Sequence, residues 1–233
     1  MTDRTSLPKW VQTAEMLIRE IAAGRLISGE RLPPEREMAA SLGLSVGTLR
    51  KALADLEQRG MLERRQGSGN YIRPNEAAAG VYALFRLELI EGGGLPTAET
   101  LEVARLPKPP GAPYFGPAPK AHRIRRLRRL GGRPAALEEI WLDAARADVL
   151  RQEDLSESLY LFYRARLNLW ISRAEDRVGL GVVPDWAIPP FAPEPGAPCG
   201  FVERLAHDQA GAPVEYSRTW FDAGLARYVA RLK

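Results

Sequence analysis

The sequence predicts an α+β protein in two parts: a helical N-terminal unit ending in a small hairpin, and a larger antiparallel sheet domain with a few helices. Three observations predict it. Apolar residues recur at helical spacing through residues 8–59. Two short extended runs joined by a Gly-rich tip follow at once. From residue 81 onward, strand-like runs separated by turns dominate, with only short helical stretches between them. A chain of 233 residues, 45% hydrophobic and 27% charged, suits two modest folded domains.

The first helical pattern covers residues 8–24. Trp10, Ala14, Leu17, Ile18 and Ile21 fall on one face, Pro8 suits a start and Gly24 a C-cap. After the turn Ser28-Gly29-Glu30, a second helix is expected over about 35–42, stopped at Gly43. Ser45 is a natural N-cap for a third helix, which runs to about Arg59 with Leu49, Leu53 and Leu56 as its buried stripe. Met61–Arg65 and Asn70–Arg73 then read as two strands around the tip Gln66-Gly67-Ser68-Gly69, and residues 74–80 as a linker. The expected domains are therefore 1–73 and 81–233.

Strands are expected in the second part at Leu101–Leu106, Ala121–Leu130, Ala136–Leu142, Leu169–Ile171, Gly200–Ala206 and Val214–Phe221. Gly131–Pro134 and Gln209–Pro213 read as hairpin connections. Helices are expected at Val81–Gly92, Ala147–Leu150, Ser158–Ala165 and Ala174–Val178. The prolines between Pro184 and Pro198 mark an irregular crossing.

Helix, tight turn, helix and hairpin in that order describe a winged helix whose third helix enters the major groove of double-stranded DNA. Short side chains let such a helix approach, and long donors reach phosphates and base edges. Ser45, Gly47, Thr48, Arg50 and Lys51 supply both kinds, with Arg50 the best candidate for a bidentate contact to guanine. Arg36 is placed to reach the backbone. Arg64, Gln66 and Gly67 are placed on a wing that can enter the minor groove. A basic helix face is more often merely solvated; the ordered coincidence of turn, helices, basic residues and wing outweighs that reading. Charge agrees, though mildly: residues 1–75 hold 12 Lys and Arg against 9 Asp and Glu, while the rest is nearly balanced.

Residues Trp10 to Ile72 resemble the winged-helix domain of the GntR family of bacterial transcription regulators. The resemblance is carried by Gly29-Glu30-Arg31-Leu32-Pro33, Glu35-Arg36-Glu37-Met38-Ala39, Leu42-Gly43-Leu44-Ser45, Thr48-Leu49-Arg50-Lys51-Ala52-Leu53, Gly60-Met61-Leu62 and Arg64-Arg65-Gln66-Gly67-Ser68-Gly69. It implies DNA contacts at Arg36, Ser45, Thr48, Arg50, Gln66 and Gly67. Relatives usually carry Arg directly after the helix cap, where this chain has Val46. An operator that departs from the common family sequence, or weaker intrinsic specificity, is expected.

In the second part the most suggestive stretch is Arg123-Ile124-Arg125-Arg126-Leu127-Arg128-Arg129. On a strand, Arg126 and Arg128 share a face. Two guanidiniums there can clamp a carboxylate or phosphate; a solvated basic edge is the equally good alternative from spacing alone. Arg126-Leu127-Arg128, Gly132, Pro134, Glu138, Ser158-Leu159-Tyr160, Gly211 and Pro213–Trp220, in that order, resemble the UTRA effector-sensing domain of the HutC subfamily, which has a chorismate-lyase-like fold. That resemblance implies ligand contacts at Arg126, Arg128, Glu138 and Glu215. It implies further ones at Phe85, Arg86, the pocket-lining Ser172 and the aromatic Phe221. Val183–Pro198 departs from the family pattern.

Other chemistry is scarce. His122 and His207 are far apart, Cys199 is single, and Glu138-Glu139 are neighbours that a strand turns to opposite faces. No metal-ligand spacing, nucleophile motif or phosphate-binding glycine loop is present. The expectation is therefore a cytoplasmic, non-enzymatic, cofactor-free homodimer, with no membrane partner. It would bind an operator and respond to a small carboxylate or phosphate, most simply as a repressor. A DNA-tethered enzyme and an architectural DNA binder are the rivals.

Overall fold

The computed structural model describes residues 7–23, 25–73, 82 and 84–231. The chain divides into two compact units, one spanning Leu7–Ala83 and the other starting at Leu84. The expected cap Gly24 and the linker 74–80 lie outside the described residues.

The first unit contains α1 (Lys9–Ala22), α2 (Glu35–Ser41), α3 (Val46–Gln58), β1 (Leu62–Arg65) and β2 (Gly69–Ile72). Its core joins Leu17, Ile18 and Ile21 of α1, Met38 of α2, Leu49, Leu53 and Leu56 of α3, and Leu62 and Ile72 of the hairpin. Apolar residues at helical spacing thus become one shared interior. Gly43, at φ +63°, makes the turn between α2 and α3. Ser45 caps α3 by accepting from the Thr48 N–H at 3.1 Å. At the far end of α3, Met61 N–H reaches back to Leu56 O at 2.8 Å, the loop-back closure a left-handed Gly60 permits.

The second unit is built on a six-stranded antiparallel sheet in the order β4-β5-β6-β9-β8-β7. The strands are β4 (Pro96–Pro107), β5 (Lys120–Leu130), β6 (Arg133–Asp143), β7 (Ile171–Val182), β8 (Pro198–Asp208) and β9 (Pro213–Phe221). Between β6 and β7 lies α4 (Leu159–Leu167), capped by Ser158. A second small sheet pairs β3 (Leu87–Leu89) with β10 (Ala226–Tyr228). One sheet face carries two apolar clusters. Ile124, Ile140, Leu142 and Ala206 pack under α4. Leu130, Ala136, Val202 and Phe221 pack against Leu87, Leu89 and Ala226. The other face is covered by Val183, Trp186 and Phe191 over Leu127, Leu137 and Trp220. It is also covered by Phe115 over Ala121, Trp141 and Tyr216.

Three expected helices are absent. Within Val81–Gly92, the described residues 84–92 hold no helix; Leu87–Leu89 instead pair with β10, and Gly92, Gly93 and Gly94 all take positive φ. Ala174–Val178 lies inside β7, where eleven registered partners on β8 override the helix preference of Ala, Glu and Arg. Before Ala147–Leu150, Asp143 caps a single 3₁₀ turn, Ala144–Arg146, and the chain then leaves helical geometry. The Leu169–Ile171 strand begins only at Ile171.

Candidate DNA interface and candidate effector site

On the first unit, Arg36, Gly47, Arg50, Lys51, Arg64, Gln66 and Gly67 are all exposed. The Ser45 hydroxyl serves the helix cap and lies 2.9 Å from the Thr48 hydroxyl. Arg50 is held rather than loose: its Nε donates to Glu35 Oε2 at 2.6 Å. Arg64 donates to Glu57 at 2.9 Å and lies 4.0 Å from Glu35. The hydrogen bond and charge of Arg50 keep the Glu35 carboxyl below its ordinary range. Val46, partly buried, packs against the core. Its apolar side chain is part of the fold and offers no donor to a base. Lys9 and Trp10 line a surface hollow with Ser45, Gly47, Thr48 and Lys51. Lys9 escaped the sequence reading because its neighbours are brought in by a different helix.

On the second unit, the middle of the sheet face between the two apolar clusters is polar. Register places Arg126 opposite Glu138. Arg126 Nε and Nη2 donate to Glu138 Oε2 at 3.0 and 2.8 Å. Arg128 Nη2 reaches both Glu138 oxygens, at 2.9 and 3.1 Å, and its Nε donates to Oε1 at 3.2 Å. Both arginines also donate to the Glu157 carbonyl, at 3.1 and 3.3 Å. Arg126 is 2% exposed and Arg128 4%. The Arg128 guanidinium lies 4.9 Å from the Phe85 ring centroid. The solvated-edge alternative for this basic strand therefore fails for these two side chains.

The belt continues across the sheet. Tyr160 of α4 donates to Glu215 Oε1 at 3.0 Å, while the buried Tyr163 hydroxyl and Glu215 Oε2 have no hydrogen-bond partner among the described residues. Arg204 donates to both oxygens of Asp176 at 2.6 Å and to Leu84 O at 2.7 Å. Tyr228 donates to the same Asp176 at 2.6 Å. The charge of Arg86 helps to hold Asp176 low, after burial and Arg204 have acted in opposite senses. Phe221 joins the neighbouring apolar cluster, where Phe85 also packs. Ser172 stands apart: it is exposed and donates to Asp208 O at 2.6 Å, with no described contact to the belt. Tyr160, Tyr163, Arg204 and Asp176 were missed as belt members. Only Tyr160 stood in a motif, and nothing local announces the others.

The two belt carboxylates are driven in opposite directions. Burial alone would raise Glu138, but the Arg128 and Arg126 charges outweigh it and hold the carboxyl at about 2. Burial pushes Glu215 up, against the hydrogen bond from Tyr160. A depressed folded-state value stabilises the fold above the unfolded value of about 4.3 and is lost as pH falls toward 2. Between about pH 4.5 and 2 wild type should therefore lose on the order of 3 kcal/mol that Glu138→Gln does not lose. Urea titrations across that range check it; parallel pH profiles for the two proteins would count against the triad. Glu215 has the opposite sign: its contribution is present at low pH and lost as pH rises through its raised value.

Phe221 also explains a glycine. Gly200 pairs directly with Phe221 across β8 and β9, and a Cβ on Gly200 would come within 2.1 Å of the ring. Gly200→Ala must displace a buried ring, at an expected cost of about 1–3 kcal/mol. Chemical denaturation checks this, and a change under 0.5 kcal/mol would show that the ring moves freely.

Comparison with known proteins follows the same division. The profile of bacterial regulatory proteins of the gntR family matches residues 10–72, and that of the UTRA domain matches residues 92–225. The HTH-type transcriptional regulator SmoD of Agrobacterium fabrum is 62% identical over 228 residues, covering 98% of this chain and 97% of that protein. The mannosyl-D-glycerate transport/metabolism system repressor MngR of Escherichia coli is 27% identical over 176 residues, 73% of each chain. The crystal structure of the possible transcriptional regulator YydK of Bacillus subtilis aligns over 97% of this chain and 100% of that one. It does so with a TM-score of 0.53 at 20% identity, which shows the fold.

Proposed function

This chain belongs to the gntR family of bacterial regulatory proteins and carries a UTRA domain, and from that premise we propose how its two units work. The protein is a ligand-responsive, DNA-binding transcription regulator. We assign operator contacts to Arg36, Ser45, Gly47, Thr48, Arg50, Lys51, Arg64, Gln66 and Gly67. We assign effector contacts to Phe85, Arg86, Arg126, Arg128, Glu138, Ser172, Glu215 and Phe221. The effector is a small anion, a carboxylate or phosphate, sensed in the cytoplasm by a homodimer with domains 1–73 and 81–233. Ligand binding relieves repression by favouring one placement of the paired DNA-binding domains.

The observation that carries the effector reading is the convergence of two buried guanidiniums, beside an aromatic ring, between two apolar clusters. Arginine pairs of this kind read planar anions. The repressor MngR, by its name, serves a system for mannosyl-D-glycerate, a sugar-linked carboxylate; that lends support to an anionic effector and to the repressor sign. A binding role is favoured over catalysis for Glu138, since both of its oxygens are already engaged by arginines.

The test is a thermal-shift panel of carboxylates, sugar phosphates and neutral sugars on the full chain, followed by operator binding with each hit. Anions that raise the melting temperature and weaken DNA binding support the reading. Arg126→Lys and Arg128→Lys variants should bind the hit at least about tenfold more weakly, since lysine lacks the bidentate fork. Wild-type affinity in both refutes the assignment.

A further inference from the structure

We propose that Asp176, Arg204 and Tyr228 are positioning residues: they clamp the segment Leu84–Leu89 beside the anion site, and through that segment ligand occupancy reaches the chain that leads to the DNA-binding unit. This rests on the effector reading above. Leu84 is where the second unit starts after the first, so a displacement there passes directly into the connecting chain. The segment also crosses the polar belt. Leu84 packs against the cluster under α4, and the next residue, Phe85, against the cluster that holds Phe221. The Phe85 ring lies 4.9 Å from the Arg128 guanidinium. An anion that binds Arg126 and Arg128 therefore arrives beside Phe85.

What holds the segment comes from far along the chain. Leu87–Leu89 pair with Ala226–Tyr228, Tyr228 standing opposite Leu87. Val229 N–H donates to Arg86 O at 2.8 Å. Arg231 donates to both oxygens of Glu88, at 2.7 and 3.0 Å. The fixed point is Asp176 on β7, whose side chain is 10% exposed. It accepts two hydrogen bonds from Arg204 and one from Tyr228, each 2.6 Å long. Bonds to an ionised acceptor are the strong ones. The same Arg204 donates to Leu84 O at 2.7 Å.

One carboxylate thus grips the segment at two places: at Leu84 through Arg204, and at Leu87 through Tyr228. Phe85 and Arg86 lie between those grips. A segment held at both sides responds to a ligand by moving as a unit between discrete placements. A segment free at Leu84 would fray there and absorb the displacement locally.

Hydrogen exchange of the full chain tests the clamp without a ligand. Tyr228→Phe keeps the ring and loses only the hydroxyl; Asp176→Asn keeps the shape and loses the charge. In each, the amides of Leu84–Leu89 should exchange about tenfold faster while those of β5 and β6 stay as they are. Unchanged exchange at Leu84–Leu89 in both variants overturns the clamp. Equal acceleration in β5 and β6 overturns it as well, by making the cluster a general support of the fold. Inorganic phosphate and operator duplex then test transmission. Each should alter exchange at Leu84–Leu89 in wild type, and phosphate should lower operator affinity by a factor that shrinks at least about threefold in Tyr228→Phe. A phosphate effect of full size in that variant overturns transmission. If phosphate does not bind wild type, the anionic-effector reading loses its support, and the operator arm decides alone. An operator-induced change at Leu84–Leu89 that is present in wild type and lost in Tyr228→Phe supports transmission, and its absence from wild type overturns it.

Discussion

Replacing Glu138 by alanine is expected to destabilise the C-terminal unit by about 3–5 kcal/mol. The reason is asymmetry. Glu138 is the shared acceptor of two guanidiniums that are almost wholly out of water. Removing it leaves two buried cations facing each other across one strand position, and the cost is the desolvation of those charges rather than the worth of one ion pair. Glu99→Ala is the control. Glu99 also pairs with an arginine of β5, Arg129, at 3.3 Å, but its side chain is 61% exposed. There the expected change is under about 0.5 kcal/mol. Urea unfolding separates the two. Glu138→Ala should also acquire a stability that rises with added acetate or phosphate, because a small anion can occupy the space the carboxylate leaves. A Glu138→Ala protein within 1 kcal/mol of wild type, and indifferent to anions, would show that the arginines find other partners and that the belt is not an anion site.

How much of this was legible in sequence differed between the units. In the first, every element is set by neighbours a few residues away: the Leu49, Leu53, Leu56 stripe, the Ser45 cap, the left-handed Gly43 and Gly60. Local rules suffice for such a fold. In the second, alternation along β5 placed Arg126 and Arg128 on one face, as the register confirms. What alternation cannot say is which element covers that face. Tyr160 and Tyr163 arrive from α4, Arg204 from β8, and Asp176 from a segment whose composition favours helix. These contacts are fixed by strand order, and strand order is a property of long-range pairing. The segment Val81–Gly92 failed for the same reason, since its described part pairs with a strand over 130 residues later.

Replacing Arg50 by alanine is expected to lower affinity for the cognate operator by about 1–3 kcal/mol, roughly 5- to 150-fold, and much less for unrelated duplex DNA. The position carries unusual weight here because Val46, where the family resemblance implies an arginine, packs against the core. Glu35 fixes the Arg50 guanidinium through its Nε at 2.6 Å and leaves the two Nη groups to read a base. The carboxylate thus orients the guanidinium that DNA would meet. Glu35→Gln should weaken that hold and remove a negative charge from the surface facing the phosphates, raising affinity for any duplex and flattening the preference for the operator. Fluorescence anisotropy against cognate and scrambled duplexes, at two salt concentrations, distinguishes the two effects. Equal losses on both duplexes in Arg50→Ala would make Arg50 a phosphate contact. Sequence reading would then rest on the wing and on DNA shape, and a binding-site selection would return an operator with little preference under the recognition helix.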